Sequence, residues 1–390
     1  MDIDKYDIAP YSEEEAMRAI EKLSNHPNTL IISKYMFRDK PATYLRSLLK
    51  SVNSVDEFQN VVMAKAIGWV IDSTVDEFTF DGVENARSID GKFLALSNHR
   101  DIVLDPAFTQ FVLYKSGIPM TEIAVGDNLL SSKTVEYMLR CNRMIKVVRG
   151  VSARELYLSS QALSKYIRET VTSGKSSVWI AQRQGRTKNG YDETEQGLLK
   201  MFDMSGTGSF TDNFDELNIL PISISYEYEP CDIRKAREIL ISRTQKYVKK
   251  KNEDLHSIII GIRQRKGNVH LHFGVPITRE EIIEAEASGV KNDRYLAIRN
   301  LVNRRIIDGY HLWKTNYLCY DMLHGCDKYK EHYTLADVEE FKAYMHHKLT
   351  DKVEKSLDHE ALKQIFLEIY ANPVQAKEDM ESSSSVRTAA

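Results

Sequence analysis

The sequence predicts an α/β fold in which a mixed sheet is flanked by helices, with helical segments before and after it. Two observations carry this expectation. From Phe78 to about residue 277, short apolar runs alternate with amphipathic stretches, the pattern of strands interleaved with helices. Outside that span the strand-like runs stop and helical periodicity takes over. The chain therefore divides into a helical N-terminal segment 1–76, an α/β domain 77–277, a helical C-terminal segment 278–375 and a tail 376–390. The tail is expected to be disordered because 381–390 is rich in serine.

Each element has a local reason. Ser12 and Glu15 have the spacing of a capping box, and Ser54 with Glu57 repeats it before a helix. In that second helix Phe58, Val61, Val62, Ala66, Ile67 and Val70 share a face. Phe78-Thr79-Phe80 starts the strands and leads to a turn at Gly82. Strands follow at 92–97, 121–125, 144–149, 177–181 and 219–226, with helices at 106–116, 132–141 and 152–173 between them. Pro221 lies within the last of those runs, which marks it as an edge strand or a strand start. Runs 257–262 and 268–273 read as a hairpin around Lys266-Gly267. In the second, His270 and His272 alternate with Val269, Leu271 and Phe273; with no third ligand in view they read as one face of a strand and not as a metal site. Residues 278–315 and 334–371 read as helical, with Thr334 and Asp337 as a cap.

Composition narrows the function. Hydrophobic residues make up 42% of the chain and charged residues 28%, as in globular proteins. There is no apolar run long enough to span a bilayer and no secretory leader, so the expected location is cytoplasmic. Cys141, Cys231, Cys319 and Cys326 are scattered, and they read as reduced thiols. Between Lys92 and Gly190, fifteen Lys and Arg face seven Asp and Glu, a net of +8 in a chain whose total is −3. A basic middle suits an anionic ligand. Nucleic acid is not expected, because the pI is near 6.4 and no basic stripe interleaves with aromatics.

The candidate chemistry starts at Ser97-Asn98-His99-Arg100-Asp101, where a strand gives way to a helix opened by Asp105-Pro106. A carboxylate on one imidazole nitrogen leaves the other free to deprotonate an alcohol. Asp105 is the first candidate orienter and Asp101 its rival, while Asp105 also reads as a helix cap. Arg149 ends the strand at 144–149, and Lys146 lies within it. Gln184-Gly185-Arg186-Thr187-Lys188 follows another strand; glycine admits close approach and arginine binds phosphate in a bidentate fork. In an open α/β sheet such strand ends gather on one edge, where ligands bind. A base beside a phosphate clamp suits transfer to an alcohol on a phosphorylated substrate. No Ser or Cys stands out as a nucleophile with its own base, and no nucleotide-binding GxxxxGK[ST] loop is present.

Over roughly residues 78–277 these blocks resemble the glycerol-3-phosphate and 1-acylglycerol-3-phosphate acyltransferase superfamily. The resemblance rests on Asn98-His99 with Asp105-Pro106, on 124–129, on the basic strand 144–149, on 178–188 with its Gly185-Arg186, on 219–227 around Pro221, and on 266–277. It implies transfer of a fatty acyl group from an acyl-CoA or acyl-carrier-protein thioester to a hydroxyl of glycerol-3-phosphate. His99 would be the base and Asp105 its orienter. Arg149, Gly185, Arg186 and Lys188, with Lys146, would form the phosphate side. No metal or resident cofactor is implied, the thioester being a co-substrate. A bilayer is the expected partner, through peripheral attachment on its cytoplasmic face, and an acyl carrier protein is a further candidate. Two departures stand out. Five residues separate His99 from Asp105 where the superfamily has four, so either a bulge absorbs the extra residue or Asp101 takes the role. Gln184 stands where many members carry Glu. The alternatives are a lysophosphatidate or other lipid-alcohol acyltransferase and, from another class, a non-catalytic lipid- or acyl-carrier-binding protein.

Overall fold

The computed structural model describes residues 6–130 and 132–388, with side chains as far as Ser382. Seven strands form one mixed sheet: β1 (Val75–Asp81), β2 (Leu94–Ser97), β3 (Glu122–Gly126), β4 (Met144–Val147), β5 (Val178–Ala181), β6 (Ile219–Tyr226) and β7 (Gly267–Phe273). Their spatial order is β1-β7-β6-β2-β5-β3-β4. All neighbours are parallel except β6 and β7. Five strands, β2 to β6, therefore run one way, and their C-terminal ends open on one edge.

Alternation along the strands sends side chains to two layers. On one face Leu94, Leu96, Val178, Ile180 and Ile219 pack with helices Ala153–Thr172 and Lys291–Gly309. On the other, Ala95, Trp179, Leu220, Ile222, Ile224 and Tyr226 pack with helices Ala64–Thr74 and Leu104–Lys115. The N-terminal helices form their own core around Ile20, Leu49 and Phe58, and the C-terminal helices another around Leu318, Phe341 and Phe366. Among the described residues no helix is long and apolar enough to cross a membrane.

Several expectations are corrected. Residues 257–262 are not a strand but part of the helix Glu253–Arg263. Ser257 and Gly261, four residues apart, are its buried face. A Cβ at Gly261 would come within 2.1 Å of Asp101 Oδ2, so the apolar run is a closely seated helix. β1 takes the place beside β7 instead, in parallel register. Pro221 is not at an edge: β6 lies inside the sheet between β7 and β2. Its carbonyl accepts from Gly274 N, and Ile219 O accepts from Ile277 N. The proline nitrogen thus faces the stretch just past the end of β7, where no ladder donor is needed. The tail expectation also fails over 376–388, where the final helix His359–Thr388 continues; residues 389–390 lie outside the described region. Residues 278–315 break into Arg279–Glu286, Lys291–Gly309 and the start of Lys314–His324, and 334–371 into Leu335–Asp351 and the start of the final helix.

The caps form much as their spacing implied. Ser12 and Glu15 make the reciprocal pair, as do Thr334 and Asp337. Ser54 accepts from Glu57 N, but the Glu57 carboxylate reaches Asn53 N.

Candidate active site

The edge where β2 to β6 end carries the chemistry. His99 lies two residues beyond β2, and its Nδ1 is 3.0 Å from Asp105 Oδ2. The His99 side chain is 14% exposed and that of Asp105 is 0%. The same Oδ2 accepts from the amides of Arg100 at 2.6 Å and Asp101 at 2.8 Å, and Tyr226 Oη donates to Oδ1 at 2.8 Å. The extra residue between His99 and Asp105 is absorbed in the turn before the helix, which points both amides at Asp105. Asp101 does not orient the histidine. Its Oδ1 accepts from Val103 N and Leu104 N, the capping role expected of Asp105. Burial, and after it the charge of Asp105, raises the Asp101 pKa. Burial also pushes the Tyr226 hydroxyl well above its usual value, so it remains a donor. With Nδ1 held by Asp105, the free nitrogen of His99 is Nε2.

A buried polar network fixes this turn to the neighbouring loops. Asn98 donates to Asp192 Oδ2 at 2.9 Å and to Ile224 O at 3.0 Å, and accepts from Ile224 N at 2.8 Å. Arg100 is 1% exposed and grips Asp192 through Nε (3.1 Å) and Nη2 (2.7 Å). Its Nη1 reaches Glu229 at 3.4 Å, and its guanidinium lies 4.9 Å from the Tyr310 ring centre. Thr187 donates its amide to His99 O at 2.6 Å and its hydroxyl to Asp192 at 2.7 Å. The loop after β5 is thereby tied to the histidine turn at both ends.

The family model described as "Acyltransferase" matches residues 77–225, the span that holds His99, Asp105 and the basic strand ends. Over that span the α/β domain is similar to acyltransferases of glycerolipids. Dihydroxyacetone phosphate acyltransferase of Bos taurus is 26% identical over 187 residues, which is 47% of this chain and 26% of that protein. The match thus spans about a quarter of that relative's length. The crystal structure of the 1-acyl-sn-glycerophosphate (LPA) acyltransferase PlsC from Thermotoga maritima is similar at a TM-score of 0.36 and 13% identity, over 74% of this chain and 92% of that one.

The α/β domain sorts the expected cations into different settings. Arg149, just past β4, makes no side-chain hydrogen bond to a described residue, while its amide donates to Asp127 Oδ1 at 3.0 Å. Burial lowers its pKa, against the opposing charges of Glu195 and Asp127. Gly185 is exposed at φ +73°, a left-handed turn that glycine adopts without strain. Arg186 folds inward towards Cys231 and Asp101, with Nη1 buried and unpartnered among the described residues. Lys188 is paired with Glu238, and Lys146 lies 3.7 Å from Asp7. Lys188 is thus ion-paired, whereas the Asp7 beside Lys146 is bound mainly by Arg140, at 2.6 and 2.9 Å.

Sequence reasoning missed Arg183. β2 and β5 are adjacent and end level, with Ser97 paired to Ala181, so His99 and Arg183 each lie in the loop two residues past a strand end on the same sheet edge. Arg183 Nε is buried without a partner among the described residues. Its position two residues past an apolar run was the available signal. Tyr226 and Asp192 were also missed, because their roles depend on contacts more than 90 residues away in sequence.

Proposed function

We propose that the protein transfers a fatty acyl group from an acyl-CoA or acyl-carrier-protein thioester to a hydroxyl of glycerol-3-phosphate. The carrying observation is the His99–Asp105 pair at the exit of β2, on the same sheet edge as Arg149 past β4 and Arg183 past β5, whose Nε is buried without a partner among the described residues. His99 Nε2 takes the proton of the attacking hydroxyl as oxygen bonds to the thioester carbonyl. Collapse of the tetrahedral intermediate expels the thiolate, which takes the proton back from the imidazolium. Asp105 holds the tautomer and stabilises the imidazolium, and Tyr226 holds Asp105. Arg149 and Arg183 bind the phosphate, with Gly185 and Arg186 shaping the loop that continues from Arg183.

The name of the bovine relative favours a second acceptor of the same kind, the hydroxyl of dihydroxyacetone phosphate. Both are short phosphorylated alcohols and need the same base and clamp. Peripheral contact with the cytoplasmic face of a membrane fits the exposed Val151, Leu156 and Tyr157 beside exposed Arg154, which follow β4 directly.

The test is a thiol-release assay of the full chain with acyl-CoA and acyl-carrier-protein donors against glycerol-3-phosphate, dihydroxyacetone phosphate and lysophosphatidate. Acylated glycerol-3-phosphate is the expected product. Turnover confined to lysophosphatidate, or thioester hydrolysis without an acylated product, would overturn the assignment.

A further inference from the structure

A second cluster lies across the sheet from Asp105, and the acyl-transfer reading does not use it. In the β1–β7 register Asp81 pairs with His272 and Thr79 with His270. Residues two apart on a strand share a face, so all four side chains stand together on two adjacent strands. One ligand atom from each of Asp81, His270 and His272 lies within 4.8 Å of the others. Asp81 Oδ1 is 2.5 Å from His272 Nδ1 and 3.4 Å from His270 Nε2. Asp81 is the third donor that the sequence reading lacked; it stands 189 residues before His270.

The surroundings are those of a ligand site. Thr79 Oγ1 lies 2.8 Å from His270 Nδ1, which fixes that ring and leaves Nε2 facing Asp81. Such an outer hydrogen bond is the usual support of a metal-binding histidine. A Cβ at Gly309 would meet His272 Cδ2 at 2.2 Å and Ser223 Oγ at 2.8 Å, so only glycine leaves room for the imidazole. Ser223, opposite His272 in the β6–β7 register, is 1% exposed, and its hydroxyl has no partner among the described residues. The three donors line a cavity of about 560 Å³ with Tyr310, His311 and Lys377. The same Tyr310 ring lies against Arg100.

We propose that Asp81, His270 and His272 bind a divalent transition-metal cation of the zinc class. Two imidazoles and one carboxylate form an N₂O set that suits zinc and its first-row neighbours over calcium or magnesium, which prefer oxygen. Three protein ligands leave coordination positions open towards the cavity. Strand residues hold the donors more rigidly than loops would. The carboxylate that now bridges the two rings becomes a ligand when the cation enters.

The test is metal binding by the full chain after stripping with a chelator. Zinc titrated by calorimetry should bind at one site per chain, and cobalt should give visible d–d bands. The His270→Ala/His272→Ala double variant should lose both signals. Thr79→Val should weaken binding by about 10- to 100-fold. Asp81→Asn alters a side chain that is 61% exposed; it separates lost binding from lost folding, which circular dichroism checks for every variant. A His347→Ala control should bind as the parent does. No zinc heat and no cobalt bands in the parent would overturn the proposal. So would signals that survive the double variant or vanish in the control. None of these readouts depends on acyl transfer, so the failure of one reading leaves the other standing.

Discussion

Asp105→Asn isolates the electrostatic share of the mechanism. In the parent, Asp105 Oδ2 faces three donors, His99 Nδ1 at 3.0 Å, Arg100 N at 2.6 Å and Asp101 N at 2.8 Å. Oδ1 faces Tyr226 Oη at 2.8 Å. An asparagine meets this pattern in one orientation. Its oxygen takes the three-donor side, and its amide nitrogen faces the tyrosine hydroxyl, which can turn to accept. Every heavy atom keeps a partner and the imidazole keeps its tautomer; only the negative charge is gone. Stability should fall by about 1–3 kcal/mol, because charge-assisted hydrogen bonds become neutral ones. The imidazolium formed during transfer loses its counter-charge, and kcat should fall by about 10²–10⁴-fold, about 2.7–5.4 kcal/mol of barrier. KM for donor and acceptor should hardly move, because the Asp105 side chain is 0% exposed and out of reach of either substrate. Thermal unfolding and steady-state thiol release read the two effects separately. A folded variant within about threefold of the parent kcat would refute the reasoning, and so would a loss expressed wholly in KM.

Arg149→Ala should raise KM for glycerol-3-phosphate by about 10- to 100-fold, the value of one or two charged hydrogen bonds. Lys146→Ala, measured in the same assay, should leave KM unchanged because that ammonium faces the Asp7–Arg140 pair, 3.7 Å from Asp7. Asp192→Ala should cost about 3–5 kcal/mol in denaturant unfolding, because it removes the nearer of the two carboxylates that hold the buried Arg100 guanidinium and leaves only Glu229 at 3.4 Å. Lys266 is 0% exposed, and burial pulls its pKa from 10.5 to about 8. The folded state therefore sheds this proton before the unfolded state does, so Lys266 contributes a stability that rises with pH between about 8 and 10.5. Chemical unfolding across that window should show the rise in the parent and its loss in Lys266→Met.

The sheet was legible where a strand's own residues dictate it. The buried runs at 94–97, 144–147, 178–181 and 219–226 are apolar enough to declare themselves. The run 257–262 was not, because β-branched residues suit a buried strand or a helix seated on small residues, and only the contact of Gly261 with Asp101 distinguishes them. Pro221 misled because its tolerance depends on where β7 stops. At the active edge, His99 and Asp105 were readable from spacing, whereas the choice between Asp105 and Asp101 required the path of the intervening turn. The cations were the least legible part. Sequence cannot show that Glu238 already holds Lys188, that Lys146 faces Asp7, or that Arg183 Nε is buried without a partner among the described residues.

The most direct test of the account is the turnover rate of His99→Ala with an acyl thioester and glycerol-3-phosphate. His99 is a partly exposed ring held by a single side-chain hydrogen bond, so the variant should fold with nearly the parent's thermal stability. Its kcat should fall by about 10²–10⁴-fold. Acyl transfer at the parent rate by the folded variant would contradict the claim that this imidazole activates the acceptor hydroxyl.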